Sequence, residues 1–417
     1  MNNTPRSSRI HIAIFGRRNA GKSSLINGIT NQDIALVSEM AGTTTDPVYK
    51  AMEILPMGPV VIIDTAGIDD VGVVGELRIQ KTKEVLNKTD MALIVTEVNT
   101  GIGEYERGLI KSIQEKEIPF LIVINKTDQM NGDKAALEIM QQQMTKTLKE
   151  YGAKGVFISA KTKDGIEELK ERMSGITPKE VDPPLVGDLI NKGDMVVLVT
   201  PIDSAAPKGR MILPQVQVIR DILDHDGFMV VCKETELQEA LKNLTPPPRL
   251  VITDAQMFHQ VSKMVPEEIP LTAFSILYAR FKGDLQELVK GAEAVKSLKP
   301  GDNILIAEGC THHQQKDDIG KVKIPNWLER EAGGSLNFTW VSGTKFEEDL
   351  SNYKLIIHCG ACMHNRREMM HRIQRAKSQG VPIVNYGVFI AHSNRILERA
   401  LKPFAGKTSV EFQSVLG

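Results

Sequence analysis

The sequence predicts an α/β protein of three domains, and three observations carry that expectation. Its 417 residues exceed what one hydrophobic core organises, and at about 150 residues per domain the length points to two to four units. Short β-rich runs alternate with longer helical patterns, which is how mainly parallel sheets wrapped by helices are written. Two proline-containing stretches without apolar periodicity interrupt the alternation and mark boundaries.

The first domain is expected over residues 1–176, with strands near 10–15, 60–64, 91–95, 120–125 and 155–159. It ends at TPKEVDPP, residues 177–184. The second, 177–268, has strands expected at 195–200, 228–232 and 250–253, and helical patterns around 215–223, 236–244 and 255–264. It holds no catalytic constellation. Residues 266–270 close it, with the prolines at 246–248 as a rival boundary. The third, 269–417, has strand-like runs at 303–307, 337–341, 354–358 and 382–385, which read as a further parallel sheet.

Composition narrows the function classes. Lys plus Arg number 51 against 52 Asp plus Glu, so net charge is -1 and offers no overall footprint for nucleic acid or anionic lipid. The polar N-terminus MNNTPRSSRI lacks the apolar centre of a signal peptide, and no apolar run approaches the roughly 18 residues that span a bilayer. A soluble, cytoplasmic protein without a membrane partner is expected. Four cysteines are too few for a disulfide framework, and the grouping of three suggests metal binding or redox chemistry. Cys232, in the apolar run FMVVC, is expected to be core.

After IHIAIF comes Gly16-Arg-Arg-Asn-Ala-Gly21-Lys22-Ser23, matching G-x-x-x-x-G-K-[ST], and then a helical pattern. Its glycines let the backbone wrap a phosphate, Lys22 supplies a point charge to the β- and γ-phosphates, and the Ser23 hydroxyl can ligate Mg2+. Ala20 and Ser24 belong to the same cradle. Asp64-Thr-Ala-Gly67 follows VVIID and places an acid near the Mg2+ shell and a glycine amide near the γ-phosphate. Asn125-Lys126-Thr-Asp128 follows FLIVI, where the Asp can accept both guanine N1–H and the 2-amino group. Ser159-Ala160-Lys161 can present an amide to the guanine carbonyl.

In that order, each after a strand, these motifs resemble the Ras-like GTPases, and in detail the TrmE-Era-EngA group. The resemblance implies a GTP/GDP site, a switch at 42–46 with Thr44, then Thr43, as the Mg2+ and γ-phosphate sensor, and K+ held near the phosphates by Asn19. Ile68 stands where Ras-type enzymes place a water-orienting glutamine, and an aliphatic side chain cannot orient water by hydrogen bonding. Slow intrinsic hydrolysis, stimulated by potassium, is therefore expected.

In the last block, one strand-like run ends at Gly309-Cys310-Thr-His312 and another at His358-Cys359-Gly-Ala-Cys362. If the strands are parallel, both loops lie at their C-terminal ends, where open α/β sheets build ligand crevices. A helical segment from residue 363 would put Cys359 and Cys362 near a helix N-terminus. Zinc closed by three cysteines and a histidine, an iron-sulfur cluster, a Cys-x-x-Cys redox pair and buried structural thiols all remain open on spacing alone.

Cys-x-His, 45 residues, then His-Cys-x-x-Cys is similar to the signature of the FeFe-hydrogenase maturation GTPases, the HydF family, and the domain order fits. The resemblance implies a middle dimerisation domain and a 4Fe-4S cluster on Cys310, Cys359 and Cys362. It also implies a fourth ligand that is His358 by adjacency or else His312. The implied partners are apo FeFe-hydrogenase, two radical-SAM maturases and further copies of the chain, with the protein as scaffold and carrier for a diiron precursor. Two rival readings are an RNA- or ribosome-associated Era/TrmE-type GTPase and a GTPase switch regulated by a metal or redox site.

Overall fold

The computed structural model describes residues 4–30, 47–65, 73–130, 134–177, 183–201, 211–309 and 319–405. The chain divides into two compact units, Met1–Glu180 and Val181–Gly417. Among the described residues no helix is long and apolar enough to cross a membrane.

The first unit runs β1 (Ile10–Gly16), α1 (Lys22–Thr30), β2 (Val48–Ile54), β3 (Gly58–Asp64), α2 (Val73–Leu86), β4 (Met91–Glu97), α3 (Glu104–Glu115), β5 (Phe120–Asn125), α4 (Lys134–Glu150), β6 (Lys154–Phe157) and α5 (Ile166–Ile176). Its sheet has the order β2-β3-β1-β4-β5-β6, antiparallel only at β2. Both faces are covered, so the inner strands read as unbroken apolar runs. Along β1, Ile12 and Ile14 enter one core with Leu25 of α1 and Leu169 of α5, while Ala13 and Phe15 enter the other with Ile110 and Ile113 of α3. The five expected strands are present. Edge strand β2 was not foreseen, because its sequence VYKAMEI mixes charge into a largely unburied strand.

The second unit holds β7 (Met195–Val199), α6 (Leu213–Asp224), β8 (Phe228–Cys232), α7 (Leu237–Asn243), β9 (Leu250–Thr253), α8 (Phe258–Ser262), β10 (Leu271–Ala273) and α9 (Phe274–Lys282). It continues with α10 (Leu285–Glu293), β11 (Asn303–Glu308), α11 (Ile324–Ala332), β12 (Asn337–Ser342), β13 (Leu355–His358), α12 (Arg366–Ser378), β14 (Ile383–Asn385), α13 (Tyr386–Ser393) and α14 (Leu397–Leu401). Two four-stranded, all-parallel sheets result, ordered β10-β9-β7-β8 and β12-β11-β13-β14. One apolar core, from Leu185 to Phe404, serves both. Because β10 pairs with β9, the first of these sheets extends past Pro270.

Helix α9 joins the two sheets and is buried on nearly every side, including Ile276, Leu277, Tyr278 and Ala279. Its Arg280, also buried, takes Asp188 in a two-pronged pair at 2.7 Å and the carbonyls of Pro184 and Leu185. At its C-terminal end, Arg366 donates to the carbonyls of Arg280, Phe281 and Gly283 at 2.7–3.1 Å, which satisfies orphan acceptors and ties the start of α12 to α9.

Candidate functional site

Between β1 and α1 the chain turns tightly. Asn19 is exposed and left-handed at φ 61°, and Gly21 has φ 91°. A Cβ at Gly16 would lie 2.4 Å from the Val95 carbonyl, and one at Gly21 would lie 2.3 Å from Asn125 Nδ2, so both positions require glycine. The buried Lys22 ammonium donates to the carbonyls of Gly16 and Arg17, each at 2.9 Å, which keeps the charge inside the loop's curve. Ser23 and Ser24 open α1 behind it.

Asn125 joins three loops. Its Nδ2 donates to the Ala20 carbonyl at 3.0 Å, and its Oδ1 accepts from the amides of Lys126 at 2.8 Å and Ala160 at 3.0 Å. Asp128 accepts from the Ser159 hydroxyl at 2.7 Å, which turns its carboxylate toward the 159–161 loop. Lys126, left-handed at φ 67°, reaches Glu97 at 2.8 Å, and Lys161 is exposed. The structure thus gathers Ala20, Asn125, Asp128, Ser159 and Ala160 at the C-terminal ends of β1, β5 and β6.

Burial pushes the Asp64 carboxyl up from its ordinary value, against the pull of Lys22, Lys50 and a hydrogen bond from Ser23. A desolvated carboxylate beside a serine hydroxyl at a helix start suits a hard divalent cation, so the chemistry of Ser23 and Asp64 fits Mg2+. Thr43, Thr44, Gly67 and Ile68 lie outside the described residues.

Sequence reasoning missed one part of this loop. Arg17 makes two 3.0 Å hydrogen bonds to Glu106, which also accepts from the Gly103 amide at 2.8 Å. A buried glutamate at the start of α3 thereby anchors the phosphate loop. Only its place three residues after Gly103, as in a capping box, hints at it in the sequence.

In the second unit β11 and β13 are adjacent and parallel, with Ala307 opposite His358, so the chain after each emerges at the same sheet edge. The Gly309 amide donates to Cys359 Sγ at 3.0 Å, which joins the segment entering Cys310 to the second cysteine loop. Cys310 and His312 themselves lie outside the described residues. Among the described residues no group of three or more His, Cys, Asp or Glu side chains could hold a metal ion. Cys359 is buried and Cys362 half-buried. The helix begins later than expected: α12 starts at Arg366, capped by Asn365, so residues 360–365 form a turn in front of it.

His358 is fully buried with both ring nitrogens engaged, Nδ1 with the Cys359 carbonyl at 2.8 Å and Nε2 with Arg372 at 3.0 Å. Arg372 also donates to Glu368 and to the Gly343 carbonyl, both at 3.0 Å. Burial lowers its pKa, while Glu368 and Cys359 oppose the shift. Burial, with Cys362 nearby, keeps the Tyr278 phenol protonated far above its ordinary value. Soft sulfur donors, a backbone N–H on one sulfur and a buried compensating cation fit an iron-sulfur cluster. Cys232 lies half-buried on edge strand β8, against the core rather than within it, and burial raises its thiol pKa.

Residues 11–126 match the family described as 50S ribosome-binding GTPase, residues 185–283 the hydrogen maturase F dimerization domain, and residues 286–403 the hydrogen maturase F tetramerization domain. The chain belongs to the hydrogen maturase F family. Its first unit is a GTPase domain. That unit is 38% identical over 169 residues to GTPase Der of Sulfurihydrogenibium sp., covering 39% of this chain and 37% of that protein. It is 35% identical over 163 residues to the tRNA modification GTPase MnmE of Desulfotalea psychrophila, covering 39% and 33%. The chain thus spans about a third of the length of these relatives. Among solved structures, Era of Aquifex aeolicus is 20% identical with a TM-score of 0.36, over 53% of this chain and 91% of that one.

Proposed function

We propose that this member of the hydrogen maturase F family is a GTP-binding and GTP-hydrolysing scaffold of FeFe-hydrogenase maturation, cytoplasmic and oligomeric. It would hold a 4Fe-4S cluster on Cys310, Cys359 and Cys362 and deliver a diiron precursor to the apo-hydrogenase. The observation that supports it best is the Gly309 amide on Cys359 Sγ, which brings the two cysteine segments to one sheet edge of a chain that also carries a GTPase domain.

Lys22 and the loop amides hold the β- and γ-phosphates, Asp128 selects guanine, and Asn125 keeps phosphate loop and base loop in register. Ser23, Thr44 and Asp64 would hold Mg2+, which would supply positive charge to the phosphate oxygens. Asn19 serves K+. With Ile68 unable to orient water, hydrolysis is slow and serves exchange of partners. When bound, the cluster supplies one iron with a non-cysteine ligand, the kind of position through which cargo attaches and leaves.

The test is activation of apo FeFe-hydrogenase by protein prepared with the two radical-SAM maturases, with and without GTP. Activation lost in Cys359→Ala, and dependent on GTP for turnover of partners, is expected. Activation by the cysteine variant would overturn the scaffold reading. The match of residues 11–126 to a ribosome-binding GTPase family keeps an RNA-associated role as the second reading. Retention of bulk RNA on a filter by the full-length protein would favour it.

A further inference from the structure

Among the described residues, His364 carries a buried ring nitrogen with no hydrogen-bond partner. His364 lies two residues after Cys362 and is 3% exposed. Its Nδ1 meets Glu368 Oε2 at 2.7 Å, and since an ionised carboxylate only accepts, Nδ1 carries the proton. In the neutral ring Nε2 then holds the lone pair, and among the described residues it has no hydrogen-bond partner although it is buried. An orphaned buried acceptor calls for an explanation, and a bound ion is one of the standard ones.

Its direction is informative. A Cβ at Gly309 would lie 2.4 Å from His364 Nε2 and 3.4 Å from Cys359 Sγ. The imidazole lone pair and the thiol sulfur therefore converge on the residue that leads into Cys310. Glycine at 309 is what leaves room for both. The arrangement is that of a metal-binding histidine, in which a carboxylate on the far nitrogen fixes the tautomer and raises the basicity of the near one. Glu368 is itself held by Arg372, so His364, Glu368 and Arg372 form one line along a face of α12 and its entry turn, at spacings of four residues. His358 offers no free nitrogen, because Arg372 and the Cys359 carbonyl take both.

We infer that His364, through Nε2, is the non-cysteine ligand of the iron-sulfur cluster in this chain, with Glu368 as its positioning residue. The inference rests on the cluster reading proposed above. Neither residue belongs to the Cys-x-His…His-Cys-x-x-Cys pattern. Nothing in that pattern points to them.

The experiment uses the full-length protein, reconstituted anaerobically with iron and sulfide and reduced with dithionite. Pulsed EPR reads nitrogen couplings to the cluster, with and without 15N-histidine. Wild type is expected to show a histidine nitrogen coupling that is lost in His364→Ala and kept in His312→Ala, at unchanged iron and sulfide content. Glu368→Gln should keep a coupled nitrogen with an altered coupling. If His364→Ala folds poorly by circular dichroism, His364→Asn retains a donor for Glu368 without an imidazole and takes its place. A cluster with no histidine coupling, or one whose coupling survives in His364→Ala and His364→Asn, overturns the inference and leaves the cluster reading standing. Wild type that binds no iron and sulfide overturns both.

Discussion

Asn125 shows how much of the nucleotide site hangs on single side chains. Expected as a member of the guanine-binding motif, it spans the phosphate loop and the 159–161 loop with its amide through three hydrogen bonds. Truncation would leave a buried carbonyl and a buried amide unpaired, a penalty of about 1–3 kcal/mol. Asn125→Ala should therefore weaken GDP binding by about 10- to 100-fold in calorimetry. An unchanged affinity would mean that the two loops are held by something else. Glu106 makes a parallel case. Glu106→Ala strands Arg17 and the Gly103 amide, and chemical denaturation of the first unit should show a loss of about 1–3 kcal/mol. At this scale the motif residues were legible in the sequence, since each type carries its own chemistry. Glu106, Arg372 and His364 were not, because their meaning comes from partners dozens of residues away or across a turn.

At the scale of elements, most strands could be read from apolar runs bounded by glycine, proline and polar residues. Two could not. β2 is a mixed-charge edge strand, and β10 is only three residues long, lying directly before the helix that absorbs its apolar signal. The edge strand β8 carries a prediction. Phe228 and Val231 are 51% and 45% exposed on a strand that, among the described residues, pairs on one side only, within the segment matching a dimerization domain. An apolar unpaired edge invites a second chain. Val231→Lys should shift the mass in light scattering toward monomer, and an unchanged oligomer would place the interface elsewhere. Helix α13 carries another. Burial depresses the pKa of His392 below its ordinary 6.5, so the neutral form is favoured in the folded state. The stability this contributes is present above the unfolded pKa and is lost as pH falls through 6.5 toward the folded value. Thermal midpoints of the second unit should drop on acidification from about pH 7 to about pH 5, and His392→Gln should flatten that drop.

At the scale of the whole molecule, the chain divides into two compact units. The GTPase domain is built on a six-stranded sheet, and Gly309 and Cys359 follow strands of a four-stranded sheet that shares its core with the part of the same unit matching the dimerization domain. The sequence announced the GTPase domain through its motifs and the family through its cysteine pattern. It could not show that one core fuses the second and third sheets, because α9 reads as an ordinary apolar helix whichever sheet it covers. The central claim is that this chain holds an iron-sulfur cluster on Cys310, Cys359 and Cys362. EPR of the dithionite-reduced protein after anaerobic reconstitution, wild type beside the variant with all three cysteines changed to alanine, tests it most directly. The account predicts a reduced 4Fe-4S signal in wild type only. One tightly held zinc and no cluster in wild type would contradict it.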